Sequence, residues 1–349
     1  MMKKQKTVLK DIRMMAVLLV AGGTMAACSG EDDAQAPTLD SRQAIVKFTL
    51  KYGNQNLNAT KLIVSADGQH IDVTPDAATG ELWVAVPGFT NQAVILSATV
   101  GTDTYVYGKE GVTFENGKSY PVTVTLKKVE VVDLGDAGKW ASVNVGATEP
   151  HEYGQYFAWG GTTGYGSADP VTDGRSIDWT TCPFWVSGTT YSHDIKFNKY
   201  VPTGKESYWG GEGNPDDERV LKAADDAATQ NWGSSWKIPT KEDFERLINT
   251  DNCKWDWTDD YNGTGISGYI VTGKKTGYTG NSVFLPAAGY RLGDASVFDQ
   301  GSYGYYLSSS LFSDDPFGSW SMDFISTDAR MSGNYRYCGQ SVRAVYVGE

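Results

Sequence analysis

Cys182, Cys253 and Cys338 supply three thiols, Trp255 and Trp257 two indoles set two residues apart, and Tyr303, Tyr305 and Tyr306 a run of phenols. Thiolates attack electrophiles or hold soft metals. These cysteine spacings match no zinc pattern, and in an exported chain three thiols permit one disulfide with one left over. His70, His151 and His193 are scattered along the sequence and suit surface or loop positions better than catalytic ones. Asp225 and Asp226 are able to ligate a metal, but they suit capping and hydrogen bonding near Asn231-Trp232-Gly233 better. Paired carboxylates for glycoside hydrolysis need separations of about 5 or about 6.5 to 9.5 Å, and with 42 acids chance pairs are unavoidable, so no catalytic residue is assigned.

The aromatics are the remaining candidates for recognition. Trp255 and Trp257 alternate as in a strand, so their rings project to one face and Asp256 to the other. Exposed, such rings stack on a sugar or anchor a protein partner; buried, they fill the core. Tyr303 and Tyr305 carry the same two readings. Trp140, Trp159, Trp232 and Trp236 are expected in the core.

A fourth thiol, Cys28, sits differently. Lys3, Lys4, Lys6, Lys10 and Arg13 precede the apolar run from Met14 to Ala21, and Ala26-Ala27 stand directly before Cys28. The run is shorter than the roughly 20 residues a permanent span needs, so it is expected to be a secretory signal. Ala26-Ala27-Cys28 resembles a bacterial lipobox, which implies a diacylated Cys28 as the mature N-terminus; cleavage near Ala27 with an incidental cysteine is the alternative. Acyl chains contribute about 0.8 kcal/mol per buried methylene, so the chain is expected to be tethered to a membrane rather than to cross one. Ser29-Gly30-Glu31-Asp32-Asp33 resembles the acidic tag of outer-surface lipoproteins of Bacteroidetes-type bacteria, which implies the outer membrane, facing the exterior.

The chain has 349 residues, about two domains' worth after a 27-residue leader. Its formal charge of −12 becomes −16 once the leader's five cations and one acid are removed. The absence of a cluster of Lys and Arg beyond the leader argues against nucleic acid and anionic lipid as partners. Forty glycines with 11 Trp, 20 Tyr and 12 Phe point to a turn-rich β protein.

The expected organisation is a leader over 1–27, an acidic linker over 28–42, an antiparallel β-sandwich over 43–128 and a second domain over 131–349. In the sandwich, Val46, Phe48, Leu50 and Tyr52 alternate with polar residues. Further strands are expected at 60–66, 81–87, 93–100, 105–107 and 120–126, with Asp67-Gly68 and Asn116-Gly117 as turns, the latter a hairpin signal. In the second domain, PTKEDFERLIN, residues 239–249, predicts a helix capped by Thr240 with Asp243 reaching back, and Phe244, Leu247 and Ile248 form its apolar stripe. A second helical stretch is expected near 217–228, and strands at 269–272, 282–285 and 341–347.

Two resemblances refine this outline. The segments LIVSADGQHIDVTPDAATGELWVAVPG and YGKEGVTFENGKSYPVTVTLKK resemble the fimbrillin-like (Mfa-like) lipoproteins, which implies a fimbrial or other surface role. Fimbrial shaft subunits usually carry two sandwiches and this chain carries one. In some of those subunits an arginine at the position of Arg42 is a maturation site; here Arg42 suits an ordinary linker better. The ordered segments VDLGDAGKWASVNVGA, EYGQYFAWGGT, DDAATQNWGSSWKIPTKEDFERLI, NSVFLPAAGYR, GYYLSSS and GQSVRAVY resemble the FISUMP (major paralogous) domain. That implies a C-type-lectin-like α+β module with its first and last strands paired and long loops on one side.

The enzyme branch of that fold, the formylglycine-generating oxidases, holds copper on two cysteines. Cys338 has no second cysteine nearby in sequence, although Cys182 or Cys253 is able to meet it in space. The lectin branch binds sugar through calcium on oxygen ligands, and Asn214, Asp216 and Asp217 around Pro215 are the weak counterpart; such residues also form plain turns. No other cofactor is assigned. The expected fold class is mainly β and α+β. The expected function is non-enzymatic: cell adhesion at the surface, as an accessory or tip component of fimbriae, with fimbrial subunits and a host protein or glycan as partners. Glycan capture for nutrition is the alternative, and an oxidase the remote one.

Overall fold

The computed structural model describes residues 42–66, 68–166, 177–188, 194–293 and 296–348. The leader, Cys28, all of the acidic linker but Arg42, and His193 lie outside the described residues. The protein is mainly β with α+β character, and its chain forms two compact units. One comprises the described residues up to Gly101 together with Lys109–Leu126; the other comprises Thr102–Gly108 and everything from Lys127 onward. The first residues of one strand therefore belong to the second unit.

β1 (Gln43–Tyr52), β2 (Lys61–Ala66), β3 (Gln69–Val73), β4 (Glu81–Pro87), β5 (Phe89–Val100), β6 (Asp103–Phe114) and β7 (Ser119–Thr125), all in the first unit except residues 103–108 of β6, build two sheets. Ala44, Val46, Phe48 and Leu50 of β1 are buried and alternate with half-buried residues, as the period of two demands. They meet Val86, Val84 and Leu82 of antiparallel β4. On its other edge β1 pairs with β7, and this pair is parallel, with Phe48 opposite Val122. The expected all-antiparallel sandwich thus has one exception. β6 belongs to the other sheet, so β7 reaches β1 by changing sheets and no hairpin sets its direction.

That crossing also corrects the reading of Asn116-Gly117. The turn forms, with the Lys118 amide donating to the Glu115 carbonyl at 3.2 Å, but it joins strands of different sheets. Asn116 is committed elsewhere: its Oδ1 accepts the Gly88 amide at 2.7 Å.

After the start of β6 and the short strand Lys127–Lys128, the second unit continues with the strand Val131–Asp133, β8 (Lys139–Ala141), the short strand Tyr156–Phe157, α1 (Ala227–Trp232), β9 (Trp236–Lys237) and α2 (Lys241–Ile248). Then follow β10 (Cys253–Thr258), β11 (Gly268–Gly273), β12 (Ser282–Pro286), β13 (Tyr290–Leu292) and β14 (Ser296–Phe298). The chain closes with β15 (Gly304–Leu311), β16 (Gly318–Ile325), β17 (Asp328–Tyr335), β18 (Gln340–Ser341) and β19 (Val345–Tyr346). A five-stranded sheet has the order Tyr156–Phe157, β18, β15, β16, β17, and β10 to β12 form a three-stranded antiparallel sheet. The last strand, β19, pairs with β8 and β9, and β8 pairs in turn with Val131–Asp133.

α2 forms where its capping signals place it. The Asp243 amide donates to Thr240 Oγ1 at 3.2 Å and the Thr240 amide to Asp243 Oδ2 at 2.8 Å. Phe244 and Leu247 are buried. The helix expected near 217–228 is shorter than its sequence suggests. Residues 219–221 run against β15 instead, the Leu221 amide donating to the Ser309 carbonyl and the Leu311 amide to the Arg219 carbonyl. Sheet bonding overrides helix propensity there, and only Ala223–Asp225 and α1 are helical. The strand expected over 341–347 is likewise split into β18 and β19. Between them the buried Arg343 guanidinium donates to the Ala141, Ser142 and Phe284 carbonyls, and its Nε to Asn144 Oδ1.

β15 is covered on both faces: Tyr306 enters a cluster with Trp140, Phe244 and Met322, whereas Leu307 and Leu311 enter one with Trp159, Trp232 and Trp236. The four tryptophans expected in the core are buried. Each such ring contributes on the order of 3 kcal/mol relative to exposure.

Candidate ligand-binding site

The hairpin β13–β14 pairs Tyr290 with Phe298 across its two strands. Their rings stack with centroids 5.5 Å apart and planes 27° apart. Where β15 begins, Tyr303 and Tyr305 lie two residues apart, so their rings fall on one side. These two rings are 5.9 Å apart and nearly parallel, at 12°. Tyr290 joins the two pairs, meeting Tyr305 edge-on at 5.0 Å. Phe298 remains 42% exposed and Tyr303 39%, so the four rings form an aromatic platform with an open side.

Gly289 and Gly304 bridge the start of the hairpin to β15, and each also makes a close approach of its own. Gly289 has φ +67°, and a Cβ there would stand 2.0 Å from the Phe298 carbonyl oxygen. A Cβ on Gly304 would stand 2.1 Å from the Phe324 ring. Asp299 turns the chain between β14 and β15 with φ +59°, and its carbonyl accepts the Ser302 and Tyr303 amides at 3.1 and 3.0 Å. Its exposed carboxylate stands 3.5 Å from the Tyr305 hydroxyl.

Polar groups continue from the platform along the sheet. Tyr305 pairs across β15–β16 with Asp323, and Asp323 across β16–β17 with Arg330. The Asp323 carboxylate accepts from the Ser321 hydroxyl, and Asn334 Nδ2 donates to Ser321 Oγ at 2.7 Å. Burial holds the Asp323 carboxyl above the usual carboxylate range, against the Ser321, Ser332 and Asn334 bonds that pull it down. Burial and the nearby acids Asp323 and Asp299 raise the Tyr305 hydroxyl.

Ser341 pairs with Tyr306 in parallel register. Gln340 therefore shares the opposite face with Tyr305 and Asp323. It is 1% exposed, and neither its Nε2 nor its Oε1 has a hydrogen-bond partner among the described residues.

The other candidates have structural employment. Trp255 and Trp257 do share a face: each meets Tyr269 edge-on, at 5.1 and 5.2 Å, and each meets Phe324 at 6.3 Å. They are half-buried against that core, with the Trp255 indole donating to the Leu247 carbonyl and the Trp257 indole to Asp259. Both Asp216 oxygens accept backbone amides, from Tyr200 at 2.7 Å and Val201 at 3.0 Å. Asp217 accepts the Thr203 amide and pairs with Arg219, which together hold its carboxyl low. Asn214 is exposed on the same loop. Among the described residues no group of three or more His, Cys, Asp or Glu gathers as a metal site requires. Asp226 caps α1, accepting the Thr229 amide, and Asp225 bonds Lys199 and the Tyr200 hydroxyl. His70 lies on β3 and His151 in a turn.

Cys182 and Cys338 come together in one buried apolar cluster, while Cys253 sits in another. All three are free thiols. Burial pushes Cys182 and Cys338 up to about 12 and Cys253 up to about 11. Beside the pair, the buried Arg336 guanidinium lies 4.5 Å from the Trp159 ring and 4.6 Å from Phe197. It donates to the Pro316 carbonyl at 2.9 Å.

The chain matches no protein-family model, no curated protein and no solved structure. No helix among the described residues is long and apolar enough to cross a membrane.

Sequence reasoning reached Tyr303 and Tyr305 but missed Tyr290, Phe298, Asp299, Asp323 and Gln340. A signal for the first two was present: Tyr290 and Phe298 flank a Gly-Asp dipeptide at hairpin spacing. Asp323 and Gln340 carry no local signal.

Proposed function

We propose that this protein is a non-enzymatic lipoprotein, tethered through Cys28 to the outer membrane and facing the exterior, whose second unit recognises a ligand in cell adhesion. The observation that supports it is the Tyr290–Phe298–Tyr303–Tyr305 platform. Rings on a rigid sheet and hairpin, open to solvent and bordered by polar side chains, suit recognition. The resemblance of the first unit to fimbrillin-like proteins supports an accessory or tip position in a fimbria, with other subunits as partners.

The test is adhesion by intact cells carrying the full chain, compared with cells lacking it and with cells carrying Cys28→Ala. The expected result is that surface protease removes the protein from wild-type cells and adhesion falls with it, while Cys28→Ala releases the chain from the membrane fraction. Protection from protease in intact cells, or adhesion indifferent to the chain, would contradict the reading.

A further inference from the structure

We propose that the Tyr303–Tyr305 platform binds the uncharged pyranose ring of a glycan, discriminating against acidic sugars and needing no calcium. This rests on the recognition role proposed above and adds the chemical class of the ligand. The faces of aromatic rings are electron-rich, and the C–H-bearing face of a sugar ring is the complementary surface. Tyr303, 39% exposed and stacked on Tyr305 with centroids 5.9 Å and planes 12° apart, is the open ring of the pair.

A sugar also needs acceptors and donors for adjacent hydroxyls. The Asp299 carboxylate is exposed 3.5 Å from the Tyr305 hydroxyl, and Asp323 stands opposite Tyr305 with Ser321 and Asn334 beside it. The buried Gln340 amide on that face leaves both a donor and an acceptor unused. Such a group calls for a hydrogen-bonding occupant, water or ligand hydroxyl.

Charge selects among glycans. Asp299 and Asp323 flank the platform, Arg330 is paired with Asp328 at 3.7 Å, and the whole chain carries −12. A sialyl, uronyl or sulfated group about 6 Å from one such carboxylate would lose roughly threefold or more in affinity at low salt. A cationic peptide is the competing occupant. The Tyr303 and Tyr305 hydroxyls, as mixed donors and acceptors, fit sugar hydroxyls better than ammonium groups, which only donate.

The experiment is a glycan array probed with the full chain made soluble by Cys28→Ala, with and without EDTA, alongside a lysine-rich peptide and the variants Tyr303→Ala and Asp299→Asn. Both variants alter exposed side chains, and thermal melts confirm their folding. The expected result is binding of neutral hexose-terminated glycans, unchanged by EDTA, at least threefold weaker for sialylated counterparts and at least tenfold weaker in Tyr303→Ala. Binding lost in EDTA, tighter binding of acidic glycans or of the peptide, or neutral binding unchanged in both variants would overturn the proposal. Adhesion by intact cells with no glycan bound would overturn this inference alone, whereas loss of both would remove the recognition role with it.

Discussion

Tyr305 and Asp323 face each other across β15 and β16, a phenol opposite a carboxylate that burial holds above its usual range. A carboxyl whose folded-state pKa is raised is most favourable below the unfolded value and loses stability as pH rises through the folded one. Asp323→Asn should therefore increase the urea midpoint at pH 7, with the gain vanishing below pH ~4. A decrease at pH 7 would show that the Ser321 and Asn334 bonds outweigh the cost of burial. A gain in stability accompanied by weaker ligand binding would mark Asp323 as a group kept for function.

Asp243 makes the opposite prediction. Burial raises its carboxyl, but the Thr240 amide bond and the cations Lys237 and Arg246 outweigh it and leave the value lowered. Its contribution is present above the unfolded pKa and lost as pH falls through the folded one. Asp243→Ala should cost about 1 kcal/mol at pH 7, a difference that shrinks toward pH ~3. A pH-independent deficit in denaturant titrations would mean that packing, not charge, makes the cap.

Two glycines separate close approach from mere backbone conformation. Gly289→Ala puts a Cβ against the Phe298 carbonyl at a positive φ, and Gly293→Ala meets nothing within 4 Å at φ +64°. The first should cost at least ~2 kcal/mol and disturb the platform, the second about 1 kcal/mol. Equal melting temperatures for the two would refute this placement of the hairpin.

The buried thiols should be inert. With Cys182 and Cys338 pushed up to about 12, the thiolate fraction at pH 8 is roughly one in 10⁴, and thiolate is the reactive form. A thiol reagent should label none of the three described cysteines within minutes in the native protein and all three in guanidinium. Fast native labelling would place a cysteine at an open site; two thiols missing after denaturation would indicate oxidation of the Cys182–Cys338 pair.

Local patterns were legible where one element decides them. The alternation of β1, the Thr240–Asp243 box of α2 and the shared face of Trp255 and Trp257 each follow from a short spacing. Features set by distant segments were not. The parallel β1–β7 pair depends on a change of sheet, and residues 219–221 lose a helix to the edge of β15. The platform joins β13, β14 and β15, and Asp323 and Gln340 share the Tyr305 face only through the sheet order. Tyr303 and Tyr305 were visible because two residues on one strand share a face, but nothing local distinguished them from core aromatics.

The central claim is recognition through the platform, and adhesion by intact cells displaying the wild-type chain or the Tyr303→Ala, Asp299→Asn double variant tests it most directly. At equal surface levels, adhesion by the double variant should fall roughly tenfold or more. Undiminished adhesion at those levels would contradict it.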